Sequence, residues 1–387
     1  MMGRDVGMTA RRSEIDAESF VEAARAAVPA LAADAARTEA DRRVSDASLA
    51  AARAAGAFTL AAPRDAGGVE ADLATRVRVL AELGRGCPST AWIVATTAET
   101  KIALRPALTG QAHAEVFADP DAVLCASARP GRATAVPGGL RVGGRWGYAS
   151  GCEHATWALL VAQVHDDEDG PARPVVVVVP TERLSVDRDW HVSGLCGTGS
   201  HSLVGDDVLV PGSHVLEMSR LAGGPPNVAM ALGLFAPLLG AARGALDVVA
   251  AALGQRPPPG PGYDGLVEFP GAQQYFAEAT HHIDSAEQRM LRIAETLDAV
   301  PPGERLAPQE RSRLRMDLLS AMRECRRAFD DLLDLHGASG FTTTNPLQRF
   351  WRDFAVGSRH VQFSSYVVAQ DYGRLLLGAG DAVSAVL

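Results

Sequence analysis

The apolar positions change period twice along this chain. From Ser13 to about Leu108 they recur at three- and four-residue spacing, with Val21, Ala24, Val28, Leu31 and Ala35 on one face, which predicts helices through the first third. Pro29 inside that pattern is expected to kink or divide its helix, and Ala62-Pro63-Arg64-Asp65-Ala66-Gly67-Gly68 has the turn chemistry to separate two helical groups. Between about Ala122 and Leu216 the runs shorten and alternate with glycine and proline, as in VLCASA, LRVGGRW, TWALLVAQV, PVVVVVP and HSLVGDDVLVP, which predicts a domain of short strands. Val175 to Val179 is continuously apolar, the pattern of a strand covered on both faces. From about Pro226 helical spacing resumes over roughly Val228 to Gly254, Gly271 to Ala299, Pro308 to His336 and Trp351 to Gly378, a number that suits a four-helix bundle. The expected organisation is an α+β chain with a helical domain over 1–120, a β domain over 121–225 and a helical bundle over 226–387.

Length and composition narrow the reading. The 387 residues allow two or three domains, and aromatics at only 5% leave the core to aliphatic packing. A net charge of −9 provides no basic field for a polyanion, so nucleic acid is not an expected partner. Cys87, Cys125, Cys152, Cys196 and Cys325 are odd in number, scattered and free of C-x-x-C pairs, which fits neither a disulfide framework nor a zinc site and predicts a reduced, cytoplasmic protein. The charged amino terminus lacks an apolar core for secretion, and the apolar stretch Val228 to Ala242 contains Pro237 and is too short for a bilayer. It reads as a buried helix, with no membrane partner.

Several chemistries drop out on motif grounds. The adjacent pair His281-His282 points about 100° apart on a helix, and no H-E-x-x-H accompanies it, so no metal site is expected. There is no G-x-S-x-G elbow and no P-loop. The G-x-G-x-x-G match at Gly260 to Gly265 lies in the proline-rich Arg256 to Tyr263 loop after a helix, not between strand and helix. That loop reads as a rigid spacer.

Three other segments concentrate small and hydrogen-bonding residues: Gly144-Arg-Trp-Gly-Tyr-Ala-Ser-Gly-Cys-Glu-His154, Asp189-Trp-His-Val-Ser-Gly-Leu-Cys-Gly-Thr-Gly-Ser200, and Asn345-Pro-Leu-Gln-Arg-Phe-Trp-Arg-Asp353 followed by His360. With the order helical domain, β domain, helical bundle, they resemble the acyl-CoA dehydrogenase superfamily. Within it they are most similar to the oxygenase components of two-component flavin-dependent monooxygenases, where G-R-W-x-(F/Y)-x-S-G, G-x-x-G-T-G-S and P-L-Q-R-x-x-R-D…H are typical. The resemblance runs from the Pro63 loop onward and implies a middle β-barrel domain and a C-terminal four-helix bundle. It also implies reduced flavin, FMN or FAD, delivered by a separate reductase, with O2 giving a C4a-(hydro)peroxide that oxygenates a small molecule. The dehydrogenase branch commonly carries its catalytic glutamate eight residues after the R-D aspartate, where this chain has Val361, and no glutamate occurs from Phe341 to the end. Some relatives place that glutamate on another helix, so Glu268 keeps dehydrogenation as an alternative, and amino-sugar N-oxygenation of the nitrososynthase kind is a second one.

The resemblance also implies roles. Ser150 matches the serine at flavin N5, and His360 the histidine facing substrate, able to take and return a proton. Trp146 matches a tryptophan beside the isoalloxazine, or else is an aromatic core residue. Ser127 lies in the loop lining the flavin pocket. Arg256 matches an arginine that holds phosphate, or else is a helix-terminal cation. Thr198 and Ser200 reach the flavin tail, or else satisfy a turn. Asp353 with Arg352 or Arg349 reads as a buried ion pair bracing the helix. Some phenol hydroxylases of the branch have a histidine where this chain has Thr100 after Glu99, so a larger aromatic, an indole-like or polyketide substrate, or an amine paired with Glu99 is favoured. A homodimer or homotetramer is implied.

Overall fold

The computed structural model describes residues 17–164, 172–218, 221, 227–256 and 262–380. Five helices come first: α1 (Ala17–Asp41), α2 (Asp46–Ala54), α3 (Leu73–Gly86), α4 (Pro88–Leu104) and α5 (Gly110–Val116). Pro29 lies inside α1, which runs unbroken across it. The Pro63 turn forms a short 3₁₀ segment, Arg64–Ala66, closed by Gly67 at φ +82°. Helix α4 starts on Pro88 and is buried on nearly every side, because α3, the long apolar helix described below and strand β1 all pack on it.

Strands β1 (Val123–Val136), β2 (Gly139–Trp146), β3 (Ala155–Val164), β4 (Arg173–Pro180), β5 (Ser185–Asp187), β6 (Ser202–Pro211) and β7 (Val215–Glu217) form one sheet in the order β5-β6-β2-β1-β3-β4-β7. Only the central β1–β3 pair is parallel, and its register is interrupted by a bulge between Ser127 and Gly131. The implied barrel is not formed. Its edge strands β5 and β7 are three residues each and pair only with β6 and β4, so the ladder has no closing contact and the sheet stays open. The valine run behaves as its pattern predicts: Val175, Val177 and Val179 enter the main core, while Val176 and Val178 enter a second cluster with Leu104, Leu108 and Phe117.

The last part holds α6 (Asn227–Leu253), α7 (Pro270–Asp298), α8 (Pro308–His336), α9 (Pro346–Gly357) and α10 (Ser365–Leu376). The fourth helix of the expected bundle is therefore two helices. After Ser358 the chain turns, and the His360 side chain caps a 3₁₀ segment, Val361–Phe363. The apolar helix α6 lies inside the protein. Most of the proline-rich loop, residues 257–261, falls outside the described residues.

Candidate active site

The first cluster forms where β2 ends. Ser127, at the β1 bulge, donates its hydroxyl to Gly147 O at 2.7 Å and so anchors the turn that follows. That turn takes Tyr148 to φ +63° and Gly151 to φ +74°, values that favour glycine and strain tyrosine. It is held against the 195–201 loop by Gly151 N–H to Thr198 O at 2.8 Å and Ala149 N–H to His201 O at 3.2 Å. Between these bonds, Ser150 Oγ lies 2.7 Å from Ser200 Oγ, Ser200 Oγ 2.7 Å from Thr198 Oγ1, and Thr198 Oγ1 2.8 Å from Leu195 O. All three hydroxyl residues are buried.

The far end of this chain is fixed by α9. Leu195 sits at φ +52° and its N–H donates to Asp353 Oδ1 at 2.5 Å. Gly194 permits the approach: a Cβ there would stand 2.1 Å from Arg352 O. The expected Asp353–arginine brace takes a different form. Arg352 pairs with Glu39 and reaches Gln348 and Ser193 O, while Asp353 holds the loop amide of Leu195. Burial pushes the Asp353 carboxyl up to about 7.

His360 forms the second cluster. Its ring lies edge-on to Trp92 of α4 at 5.8 Å and to Phe363 at 6.3 Å. Burial draws its pKa below the ordinary imidazole value, so the neutral ring dominates near pH 7. Nδ1 accepts the Gln362 N–H at 3.3 Å, which places the remaining proton on Nε2. Among the described residues Nε2 has no hydrogen-bond partner. The resting imidazole therefore presents a donor, not the base that the resemblance implies.

Helix α4 joins the clusters. A Cβ on Gly151, next to Ser150, would lie 3.0 Å from Ile93, and the adjacent Trp92 carries His360. Beside the hydroxyl cluster a cleft of about 460 Å³ is lined by Arg129, Arg145, Tyr148, Trp190, Ser200 and Ser202, among others. Tyr148 and Trp190 meet edge-on at 5.7 Å, the Arg129 guanidinium sits 5.4 Å from the Tyr148 ring, and Trp190 Nε1 donates to Leu195 O at 3.0 Å.

The other named residues lie elsewhere. Trp146 is 0% exposed, with Nε1 donating to Val161 O at 2.9 Å, so it is a core residue of the sheet. Arg256 donates to the carbonyls of Leu335 and His336 and thus caps the end of α8. Glu99 is buried with Oε1 3.4 Å from Arg76 and Oε2 without a partner among the described residues, and burial raises its pKa; it does not face solvent. Thr100 returns its hydroxyl to Thr96 O at 2.8 Å. Glu268 is exposed and accepts the Asp264 amide. Sequence reasoning passed over Trp92, Leu195 and the Tyr148–Trp190 edge. Trp190 and Leu195 stand in a quoted segment and Trp92 in none, and nothing in the sequence marks Leu195 as left-handed.

Family models for the acyl-CoA dehydrogenase N-terminal and C-terminal domains match residues 15–109 and 232–365. The FADH(2)-dependent resorcinol hydroxylase oxygenase component of Rhizobium sp. (strain MTP-10005) is 33% identical over 88% of this chain and 90% of its own. The chain belongs to the acyl-CoA dehydrogenase superfamily, in its flavin-dependent monooxygenase branch. The monooxygenase oxygenase subunit HsaA of Rhodococcus jostii (strain RHA1) is 32% identical over 87% of this chain and 92% of its own. Among solved structures, XiaF from Streptomyces sp. in complex with FADH2 and glycerol superimposes with a TM-score of 0.88 at 31% identity, covering 96% of this monooxygenase and 98% of that chain. Enzymes of this branch are oxygenase components that use reduced flavin from a separate reductase. The residues present suit such a group: the cleft has the Tyr148–Trp190 edge, Arg129, Arg145 paired with Asp189, and Ser200, whose hydroxyl bonds Ser150 within the buried cluster.

Proposed function

We propose that this monooxygenase hydroxylates an aromatic or polycyclic small molecule of specialised metabolism, with Ser150 at the cofactor and His360 at the substrate. The observation that carries this reading is the pairing of a buried serine whose hydroxyl is engaged by Ser200 with a histidine whose Nε2 has no partner among the described residues, the histidine packed on Trp92 of α4 and the serine next to Gly151, which faces Ile93 of the same helix. Bound reduced flavin would supply the activation of O2. His360 then contributes an Nε2–H donor that orients and polarises a substrate oxygen. Trp92 and Phe363 pack edge-on against the ring and fix its orientation, leaving Nε2 open to an incoming group.

Carbon oxygenation is favoured over amine oxygenation because burial raises the pKa of Glu99, which favours its neutral form over the charged carboxylate that would pair with a cationic amine. Dehydrogenation of an acyl thioester is disfavoured because Val361, 66% exposed, occupies the glutamate position and Glu268 is on the surface. Self-association into a dimer or tetramer is supported by Tyr366, Leu376 and Leu377 of the α10 region, which are 77%, 65% and 84% exposed.

The test mixes protein with reduced FMN or FAD anaerobically, admits O2 and follows the flavin spectrum by stopped flow, with a panel of phenols, indoles and fused-ring aromatics. A transient that outlives the reaction of free flavin, followed by an oxygenated product, is the expected result. Direct return to oxidised flavin without product for every compound would refute the proposal.

A further inference from the structure

The proton directions in the hydroxyl cluster are fixed by counting. Each hydroxyl has one hydrogen, and a carbonyl has none to give. Leu195 O lies 2.8 Å from Thr198 Oγ1, a contact between two oxygens that is attractive only with a hydrogen between them, so Thr198 commits its proton there. Ser200 must then donate to Thr198 at 2.7 Å, and Ser150 must donate to Ser200 at 2.7 Å. Ser150 is left with lone pairs and no hydrogen to offer. The carbonyl at the end of the relay cannot swing away, because Leu195 is held by Asp353 through its own N–H and by Trp190 Nε1 on its oxygen.

We propose that Thr198 and Ser200 are positioning residues that make Ser150 an acceptor only, and that this polarity selects reduced over oxidised flavin. The proposal rests on the reading that Ser150 faces the cofactor. Reduced flavin carries a hydrogen at N5 and can donate to Ser150, whereas oxidised flavin has a bare N5 lone pair facing the serine lone pairs. One neutral hydrogen bond gained in one state and a lone-pair clash in the other separates the two affinities by roughly tenfold or more. The three residues belong to one device although they lie 48 or 50 positions apart in pairs with Ser150, since the Gly151–Thr198 and Ala149–His201 backbone bonds hold the two loops in register.

The substitutions follow from the direction of the relay. In Thr198→Val the hydrogen of Ser200 has no acceptor at position 198 and turns to Ser150, which frees the Ser150 hydrogen to point into the site. Oxidised flavin then gains a donor and reduced flavin loses some of its preference. In Ser200→Ala the Ser150 hydrogen is freed directly. Thr198→Ser keeps the hydroxyl and leaves the polarity intact.

The experiment measures the dissociation constants of reduced and oxidised FMN and FAD for the full-length protein, anaerobically for the reduced forms, and the midpoint potential of bound flavin. Wild type and Thr198→Ser should hold reduced flavin more tightly. In Thr198→Val and Ser200→Ala the ratio of oxidised to reduced dissociation constants should fall about tenfold, which lowers the bound two-electron potential by about 30 mV. Unchanged ratios in both variants, with a changed ratio in Ser150→Ala, would overturn the relay while leaving Ser150 at the cofactor. An unchanged ratio in Ser150→Ala as well would overturn the reading of Ser150 itself. If Thr198→Val does not fold, Ser200→Ala decides alone.

Discussion

The two halves of the site are built on opposite plans. Around Ser150 every hydroxyl has a partner, the two loops are stitched by backbone bonds, and the assembly is anchored to α9 through Asp353. Around His360 the contacts are ring edges and desolvation, with Nε2 unpartnered among the described residues. A fully satisfied polar cluster is rigid and specifies one arrangement. An imidazole held by ring contacts and one 3.3 Å amide bond leaves its working nitrogen for something that arrives later. The same α4 lies against both, and with the proposed roles one reactant would be held firmly while a free donor waits for the other.

Removing the donor should break this contrast most severely. His360→Ala is expected to lower kcat by about 10²–10⁴-fold while leaving the dissociation constant of reduced flavin within twofold, measured by steady-state product assay and by titration. A matching loss of flavin affinity would merge the two halves. The pH dependence sharpens the point. With the His360 pKa below the ordinary value of 6.5 and an Nε2–H present on both the neutral and the protonated ring, a donor role predicts no acid limb of kcat near pH 6.5, whereas a base role would give one.

The hydroxyl side should fail structurally before it fails chemically. Asp353→Ala leaves the buried Leu195 N–H without its acceptor, a loss of about 1–3 kcal/mol, readable as a lowered denaturant midpoint. Asp353→Asn keeps an acceptor and isolates the charge. The wild-type carboxyl, raised from 3.8 to about 7, binds protons more readily folded than unfolded, so its contribution is fully present below about pH 4 and lost as pH rises to about 7. Burial is the main cause and Glu39 adds to it, whereas the Leu195 amide, Arg349 and Arg352 pull the carboxyl back down. Asp353→Asn should flatten the stability profile between those limits, and an unchanged slope would show that another group carries it. The smallest effect is expected at Glu268: Glu268→Gln should shift stability by less than about 0.5 kcal/mol and leave oxygenation unchanged.

Legibility in the sequence followed the same division. The hydroxyl side is encoded by short segments rich in glycine and serine, so Ser150, Thr198 and Ser200 could be singled out and do meet in space. Local periodicity located the strand and helix regions, and the valine run correctly announced two covered faces. What escaped depends on long-range geometry. The open sheet follows from edge strands too short to close it, which no local pattern reports. The break between α9 and α10 comes from the His360 cap of a 3₁₀ turn inside an otherwise helical pattern. Trp146 and Arg256 carry motif positions yet are spent on the sheet core and on the end of α8. Residue type gave no sign that Leu195 would be left-handed, and Glu99 could be placed only once its burial beside Arg76 was visible.

The most direct test of the division is a single-turnover comparison of Ser150→Ala and His360→Ala against wild type, with reduced flavin, O2 and a turned-over substrate. The account predicts that Ser150→Ala shortens the oxygen-dependent flavin transient even without substrate and releases hydrogen peroxide. His360→Ala should keep the wild-type transient without substrate and lose product when substrate is present. Identical behaviour of the two variants, or a transient shortened by His360→Ala and untouched by Ser150→Ala, would contradict it.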